Sequence, residues 1–288
     1  MARDRISKGR GSALWFALAA GALVAAGCAP DTPDTPDATG KGEGAPTIVS
    51  LNPCLDAILV ELASPAQVLG LSHYSRDPGS SSIPEEIAAR YGVTGGTAEE
   101  VIALQPDLVL ASIYLPQPTK SALERAGLKV ETFGSPTSIA ESADQVREVA
   151  ALAGQDAAGE ALATSILRAP AQTLRPLSAL LWQPGEIVAG EATLIAELLR
   201  QEGYTSHAEA NGLGQADRVS LEWVIKHRPA VLLVAGDSQG QRHPLLKGAW
   251  KRMLIADFDP ALLYCGGPTI PKARARLREI RQEVERMP

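Results

Sequence analysis

The residues best suited to chemistry are few in this chain and far apart. Its 288 residues include three cysteines and four histidines, and the histidines lack the short spacings typical of zinc or manganese ligands. These histidines are His73, His207, His227 and His243. Cys54 or Ser50 could serve as a nucleophile with a distant His and Asp. The sequence, however, has no G-x-S-x-G elbow, no phosphate loop and no paired catalytic carboxylates. We therefore predict no metal site, no catalytic residues and no enzymatic activity, with a hydrolase as an alternative.

One pattern occurs twice, once in each half of the chain. Residues 97–111 read TAEEVIALQPDLVLA and residues 220–234 read SLEWVIKHRPAVLLV, so Glu99 matches Glu222. The leading Thr or Ser suits a helix N-cap, the Glu falls in the first turn where the helix dipole favours an anion, and a Pro ends the helix before an apolar strand. The repeat therefore predicts two α/β lobes of similar build, which commonly hold a ligand in the crevice between them.

The amino terminus is typical of an exported protein. A basic start precedes the apolar run 13–26, which is too short for a permanent membrane span and predicts a signal peptide over residues 1–27. The run ends VAAGC, which resembles a lipobox with Ala25 in place of the usual Leu, so we predict that Cys28 carries a lipid. Ordinary signal cleavage is the alternative. The Pro-, Gly- and Asp-rich residues that follow predict a flexible tether over residues 28–46.

The two remaining cysteines, Cys54 and Cys265, leave three roles open. In an oxidising compartment they could form a disulfide, which would contribute on the order of 5 kcal/mol in the chain-entropy model because the closed loop is long. They could also be separate buried thiols, or thiols that face a ligand. A net charge of −6 and a pI near 5.4 offer no basic surface, so nucleic acid is not an expected partner.

The apolar pattern predicts the order of the elements. We expect strands at 47–51, 67–71, 129–132, 178–182 and 260–264, and helices at 56–62, 121–126, 192–203 and 272–287, besides the repeated units. The longest helical stretch begins at Ser138, is rich in Ala and is interrupted at Gly154 and Pro170. These features predict a first lobe over residues 47–137, a linking helical segment over 138–175 and a second lobe over 176–288.

Five segments together resemble a known family. They are VSLNPCLDAIL at 49–59, VLGLSHYSRDP at 68–78, the two repeated units, and YCGGP at 264–268. In this order the chain resembles the substrate-binding proteins of bacterial ABC importers, in the class that serves cobalamin, haem and ferric siderophores. The resemblance implies an α/β fold with two Rossmann-like lobes joined by a single long helix, the class III periplasmic-binding-protein fold. It also implies a monomer whose lobes move only slightly as they capture a small metal chelate and deliver it to a permease dimer in the inner membrane.

The resemblance also suggests a purpose for the repeat. In that family a surface Glu on each lobe binds Arg pockets on the two permease subunits, and Glu99 and Glu222 match those positions. Two alternatives stay open. Each Glu could simply complement its helix dipole, and Glu100 could be the docking residue of the first lobe unless it completes a capping box with Thr97.

The ligand is expected in the cleft between the lobes. The residues that the resemblance places there are Asn52, Cys54, Tyr74, Arg76, Tyr114, Trp182 and Gly266. Tyr74 matches an aromatic residue of the cobalamin-binding member, and Tyr114 and Trp182 could add further faces for a flat macrocycle. Residues 211–217, however, read NGLGQAD where that protein carries a Trp. Arg76 could bind a ligand carboxylate or phosphate, or pair with a neighbouring group such as Asp77.

A corrinoid is the predicted ligand, and a ferric siderophore or haem is the alternative. Haem would need an axial ligand, for which His73 or Tyr74 is available. No cofactor is predicted. We expect a periplasmic or otherwise extracytoplasmic protein held at a membrane through Cys28, and a lipoprotein that serves no transporter is the alternative of another class.

Overall fold

The computed structural model describes residues 44–169, 175–249, 253–263 and 265–287, with the backbone alone for residues 247–249. The predicted signal peptide, the lipid attachment at Cys28 and most of the predicted tether lie outside these ranges. All of the described residues belong to one compact unit. Among them, no helix combines the length and the apolar character needed to cross a membrane.

The first lobe is built on a five-stranded parallel sheet. Its strands are β1 (Ile48–Ser50), β2 (Val68–Ser72), β3 (Val93–Thr94), β4 (Leu108–Ser112) and β5 (Lys129–Phe133), in the order β3-β2-β1-β4-β5. Its helices are α1 (Pro53–Leu62), α2 (Glu85–Ala88), α3 (Ala98–Leu104) and α4 (Gln117–Arg125). Because every strand pair is parallel, the carboxyl ends of the strands share one edge, where open α/β sheets commonly bind ligands.

Local signals explain where α1 begins. The side-chain oxygen of Asn52 accepts hydrogen bonds from the backbone N–H groups of Cys54 and Leu55, at 2.8 and 3.2 Å. Pro53 takes the first helical position, where an N–H would have no partner within the helix and its absence is tolerated. This cap holds Asn52 and Cys54 at the carboxyl end of β1.

Two helices, α5 (Ile139–Ala153) and α6 (Asp156–Leu167), form the link between the lobes. Ser138 caps α5 by accepting a hydrogen bond from the Glu141 N–H, and Gly154 ends it with a left-handed φ of 70°. The helices pack closely at Gly159, where a Cβ atom would lie 2.2 Å from the Cβ of Ala150. The linking segment is therefore a helical hairpin.

The second lobe is also an α/β unit. Its strands are β6 (Leu177–Gln183), β7 (Ile187–Val188), β8 (Tyr204–Ser206), β9 (Val231–Val234) and β10 (Leu254–Asp257). The sheet order is β10-β9-β6, with β8 parallel to the first half of β6 and β7 antiparallel to its last residues. Its helices are α7 (Leu194–Gln201), α8 (His207–Ala210), α9 (Leu221–His227), α10 (Pro244–Ala249) and α11 (Thr269–Glu285).

The predicted strand at 260–264 is wrong. Pro260–Leu262 form a 3₁₀ helix that Asp259 caps through a hydrogen bond from the Ala261 N–H, and the last strand is β10, just upstream. Pro260 cannot donate to a sheet ladder, which favours a turn at this position.

A single buried apolar cluster unites the two lobes. It includes Ile48 of β1, Val146 of α5, Leu181 of β6 and Leu277 of α11, and α5 contacts both α1 of the first lobe and α7 of the second. We call this cluster the shared core. The predicted fold class is confirmed: the fold is α/β, with two mainly parallel sheets in two lobes, and the helix α5 reaches both.

The opposite face of each sheet carries its own small cluster. Val49 of β1 and Val101 of α3 belong to the cluster of the first lobe, and Leu232 of β9 and Val224 of α9 belong to that of the second. The helices α3 and α9 therefore cover the faces that point away from the shared core. These two helices contain the repeated sequence pattern.

Candidate ligand site

Glu99 and Glu222 occupy equivalent places on α3 and α9. Each is the second residue of a seven-residue helix, and each helix leads into a buried strand, β4 or β9. Thr97 caps α3 and Ser220 caps α9 through hydrogen bonds to their hydroxyl oxygens at 3.3 and 3.4 Å. The predicted helix-then-strand structure of both copies is confirmed.

Both carboxylates are exposed. A helix that turns back into a parallel strand starts near the carboxyl edge of its sheet, so both Glu residues lie near the carboxyl edges of the two sheets. A hydrogen bond from the Ser220 side chain lowers the pKa of Glu222, which therefore carries its charge at neutral pH.

Glu100 is less available than Glu99. The hydroxyl group of Thr94 donates a hydrogen bond to the Glu100 carboxylate at 3.3 Å, and a Cβ on Gly95 would lie 3.1 Å from the same oxygen. In the described part of the chain, the Glu99 carboxylate forms no hydrogen bond or ion pair. Of the two candidates, Glu99 is the one with a free carboxylate.

A cavity of about 340 Å³ lies between the lobes, and we call it the first cavity. The first lobe contributes the start of α1 and the residues that follow β5, and the second contributes the end of β6, β7 and the start of α11. Of the predicted ligand residues, Asn52, Cys54 and Gly266 line this cavity.

The lining of the first cavity is polar without being charged. Four of its side chains carry a carboxamide, and the hydroxyl groups of Ser135 and Thr193 also reach it. The carboxamides belong to Asn52, Gln145, Gln183 and Gln215. None of the described lining residues is acidic or basic, and the remaining walls are mostly aliphatic with one aromatic side chain, Phe133. Such a lining suits a ligand that is apolar over most of its surface and carries neutral hydrogen-bonding groups.

A disulfide joins Cys54 to Cys265 at the wall of this cavity, so of the three roles left open for these cysteines the structure has the bridge. Cys54 belongs to the first turn of α1, and Cys265 lies just before α11. The bond therefore connects the two lobes. Neither cysteine can offer a free thiol to a ligand.

A second, more open cavity of about 1250 Å³ lies at the carboxyl ends of β9 and β10, and we call it the second cavity. Its walls carry charged groups, including the ion pair of Asp237 with Arg242. Leu262 lines both cavities, so the 3₁₀ helix Pro260–Leu262 separates them. The Ser82 hydroxyl group donates a hydrogen bond to the Ala261 carbonyl oxygen at 2.6 Å, which fixes this segment to the first lobe.

The predicted aromatic residues of the first lobe are exposed. Tyr74 is 48% exposed in the 3₁₀ helix His73–Arg76 after β2, and Tyr114 is 79% exposed in the loop after β4. The rings of His73 and Tyr74 are 4.0 Å apart between centroids. Both tyrosines lie at the carboxyl edge of the sheet, available to a ligand.

Arg76 is fixed by one hydrogen bond to the protein and is otherwise exposed. Its Nη2 donates a hydrogen bond to the Tyr91 carbonyl oxygen at 2.7 Å, while the side chain remains exposed. The pairing with Asp77 is absent, because Asp77 accepts hydrogen bonds from Ser80 and Gly79 instead. Arg76 lines a third cavity, of about 380 Å³, which Asp259 and Leu262 of the second lobe also line.

The prediction that Trp182 faces a ligand is wrong. The side chain is fully buried on the outer face of the second sheet, and its indole N–H donates a hydrogen bond to the Val219 carbonyl oxygen at 3.2 Å. Side chains alternate between the faces of a strand, so Leu181 points to the shared core and Trp182 points away from it. The next residue, Gln183, reaches the first cavity instead.

Asp56 supports the segment that carries Tyr74 and Arg76, a role that the sequence did not predict. Its buried carboxyl group accepts a hydrogen bond from the Ser75 hydroxyl at 2.6 Å, and Ser75 lies within the 3₁₀ helix that carries His73, Tyr74 and Arg76. Burial raises the pKa of Asp56 to about 7, against the opposing effect of the hydrogen bonds. An acidic residue inside the apolar stretch LDAIL of α1 was the available signal.

The four histidines stay apart from one another except for His207 and His227, which flank the ring of Trp223. The His207 Nδ1 lies 2.9 Å from the Ser178 hydroxyl group, and the His227 Nδ1 lies 2.9 Å from the Trp223 carbonyl oxygen. Within the described ranges, no group of three or more His, Cys, Asp or Glu side chains is arranged to hold a metal ion.

The sequence profile of a family described as periplasmic binding protein matches residues 48–253. No curated protein matches the chain.

Several solved structures share the fold. A possible iron-binding periplasmic solute-binding protein from Staphylococcus epidermidis is 19% identical, with a TM-score of 0.61 over 83% of this chain and 98% of that one. The periplasmic haem-binding protein RhuT from Roseiflexus sp. RS-1 is 22% identical, with a TM-score of 0.61 over 84% and 98%. The periplasmic vitamin B12-binding protein BtuF of Vibrio cholerae is 17% identical, with a TM-score of 0.57 over 84% and 98%. At these identities the similarity is one of fold.

Proposed function

The chain belongs to the periplasmic binding protein family, and we propose on that basis that it captures a corrinoid between its lobes and delivers it to the permease of an ABC importer. The single observation that carries the choice of ligand is the first cavity, with its four carboxamides and no charged group among the described lining residues. Corrinoids are flat macrocycles with an apolar face and neutral carboxamide arms. Amide groups of ligand and protein can pair by donating and accepting hydrogen bonds in both directions.

Charge argues against haem in the first cavity. Haem carries two carboxylates, and a carboxylate that leaves water needs a cation or several hydrogen-bond donors as partners. The first cavity offers carboxamide and hydroxyl donors but no cation among the described lining residues.

Size requires the ligand to extend beyond the first cavity. A volume of about 340 Å³ is at the small end for ligand pockets, and the adjoining second cavity offers about 1250 Å³. A corrinoid would therefore lie across Leu262, with part of its periphery in the first cavity, and the 3₁₀ helix Pro260–Leu262 would have to shift to admit it.

Delivery is proposed to use Glu99 and Glu222. Their carboxylates are exposed at matching positions on the two lobes, so one permease dimer could bind both through cationic pockets. Attachment to the membrane through Cys28 belongs to the same proposal and follows from the sequence alone.

Haem is a second candidate because of His73 and Tyr74. The two rings lie side by side and exposed at the carboxyl end of β2, and either side chain can be an axial ligand of haem iron. Arg76 in the same 3₁₀ helix could then pair with a propionate.

The test is a titration of the chain from Ala38 onward with cyanocobalamin, haemin and a panel of ferric siderophores, followed by calorimetry and absorption spectra. Saturable one-to-one binding of cyanocobalamin supports the proposal. Binding of haemin alone, with a Soret shift that disappears in a His73→Ala/Tyr74→Phe variant, would replace the corrinoid by haem. No binding of any of these compounds would contradict capture of a metal chelate.

A further inference from the structure

The disulfide between Cys54 and Cys265 has a consequence for how the lobes move. Cys54 belongs to α1 of the first lobe, Cys265 precedes α11 of the second, and the two are 211 residues apart in sequence. The lobes are therefore connected twice by covalent bonds, once through the chain of α5 and α6 and once through the disulfide.

Tight packing surrounds the bond on the side of α5. The Gly267 N–H donates a hydrogen bond to the hydroxyl oxygen of Ser142 on α5 at 2.7 Å. A Cβ atom on Gly267 would lie 3.0 Å from the Cγ1 of Ile58 on α1, and one on Gly266 would lie 2.4 Å from the Ser142 hydroxyl. Residues 265–267 are thus wedged between α1 and α5, and the disulfide fixes this wedge in place.

The repeated helices α3 and α9 lie on the sheet faces opposite those that contribute to the shared core. α3 and α9 pack on the sheet faces that point away from the shared core, whereas α1, α5 and α11 contribute to the shared core itself. The helices next to the covalent connections and the helices that carry the two exposed Glu side chains therefore cover opposite faces of the sheets.

We propose that the disulfide is a second pivot beside α5, which confines opening of the cleft to the side where α3 and α9 lie. Since the bond holds the start of α1 against the start of α11, the wall of the first cavity at this point stays closed while the distance between α3 and α9 changes. The pivot itself does not depend on the proposed function. Only the further step, in which this opening releases a ligand to the permease, rests on the proposed function.

Single-molecule energy transfer between dyes on α3 and α9 tests the pivot. The dyes are attached through unnatural amino acids at Ala103 and Lys226, which are exposed and match each other in the repeat, so that the native cysteines remain. We compare the oxidised chain from Ala38 onward, the same chain reduced by a phosphine, and Cys54→Ser/Cys265→Ser. The oxidised chain is expected to give one distribution, kept narrow because the lobes can only rotate about the disulfide and α5. Both disulfide-free forms are expected to give a broader distribution shifted to lower transfer efficiency, because the lobes can then also separate at the start of α1.

Two controls keep the result specific. Dyes at Ala103 and Arg125, both in the first lobe, are expected to give the same distribution in all three forms. Ser82→Ala removes a non-covalent contact between the lobes, and its distribution between α3 and α9 is expected to stay narrow.

An unchanged distribution between α3 and α9 in the folded, disulfide-free forms would overturn the proposal. An equal broadening of the pair within the first lobe would also overturn it, because the bond would then stabilise the fold as a whole rather than fix a pivot. If the double variant does not fold, the comparison of the oxidised with the reduced wild-type chain tests the proposal. The assay contains neither ligand nor permease, so its outcome is independent of the titration that tests the proposed function.

Discussion

Asp56 accepts two hydrogen bonds from Ser72, one from the backbone N–H at 2.9 Å and one from the hydroxyl group at 2.8 Å. Ser72 ends β2 and Asp56 lies in α1, so the pair fixes the helix to the strand just before the exposed segment His73–Arg76. A buried carboxyl group thereby positions the part of the first lobe that carries Tyr74 and Arg76.

The pKa of Asp56 predicts an unusual dependence of stability on pH. Burial raises this pKa from 3.8 to about 7, so between these values the folded state keeps a proton that the unfolded state has lost. The free energy of unfolding should therefore fall as the pH rises from about 4 to 7, by at most about 1.4 kcal/mol per pH unit from this group.

Asp56→Asn imitates the protonated side chain and should remove this dependence. Urea unfolding between pH 4.5 and 8 is expected to give a flatter profile for the variant, with the greatest gain over the wild type at the upper end. Asp144→Asn, at an exposed carboxylate, is the control and should leave the profile unchanged. Parallel profiles for the wild type and Asp56→Asn would contradict the raised pKa.

Glu99 and Glu222 should matter for the permease and not for the ligand. Glu99→Ala or Glu222→Ala is expected to weaken permease binding about ten-fold or more, since a hydrogen bond to a charged group contributes about 1.5–3 kcal/mol. The measurement is stimulation of permease ATPase activity in proteoliposomes, with ligand affinity as the check on folding. Glu100→Ala is the matched control, because its carboxylate is bound to Thr94. If Glu100→Ala reduced the stimulation of ATPase activity and Glu99→Ala did not, Glu100 would be the docking residue of the first lobe instead of Glu99.

The neutral lining of the first cavity predicts the effect of an added charge. Gln183→Glu changes the shape of the side chain little but places a carboxylate in the cavity, where it lacks a cationic partner among the described lining residues. Calorimetry is expected to show about ten-fold weaker cyanocobalamin binding, equivalent to about 1.4 kcal/mol. Gln105→Glu, at an exposed position, should have no effect. Equal affinities for Gln183→Glu and the wild type would place the ligand elsewhere.

Gly190 is predicted to set the position of the cavity wall that carries Gln215. A Cβ atom at Gly190 would lie 2.8 Å from the Gln215 Cα, so Gly190→Ala must displace the backbone. We expect a loss of about 1–3 kcal/mol in the free energy of unfolding, as for other overpacked sites, together with weaker ligand binding. Gly214→Ala is the control. Gly214 precedes Gln215 directly in the chain, but the nearest atom to an added Cβ is 3.7 Å away, so this variant should be tolerated. Equal stability of the two variants would contradict this prediction, because the loop at Gln215 would then move to admit the added methyl group without a cost in free energy.

Much of the fold could be predicted because its signals are local. The caps at Thr97 and Ser220 and the prolines after each helix act within a few residues of chain, so the repeat revealed two similar lobes. The sequence predicted helix from Ser138 onward and an interruption at Gly154, where α5 ends.

The parts that could not be predicted depend on contacts between distant segments. Trp182 was assigned to the wrong face because the apolar strand around it is buried on both sides, and alternation alone does not say which face borders the cleft. Asp56 meets Ser72 and Ser75 only after α1 has packed on β2. The lining of the first cavity likewise combines Gln145 of α5 with Gln215 of the second lobe.

Capture of a corrinoid in the cleft can be tested by the position of cobalt in a crystal of the protein grown with cyanocobalamin, located by anomalous scattering at the cobalt absorption edge. One peak per chain is expected between the lobes, beside Leu262, with the corrin carboxamides in contact with Asn52 or Gln183. A peak on the outer face of either lobe, or crystals without cobalt at saturating ligand, would contradict capture of a corrinoid in the cleft.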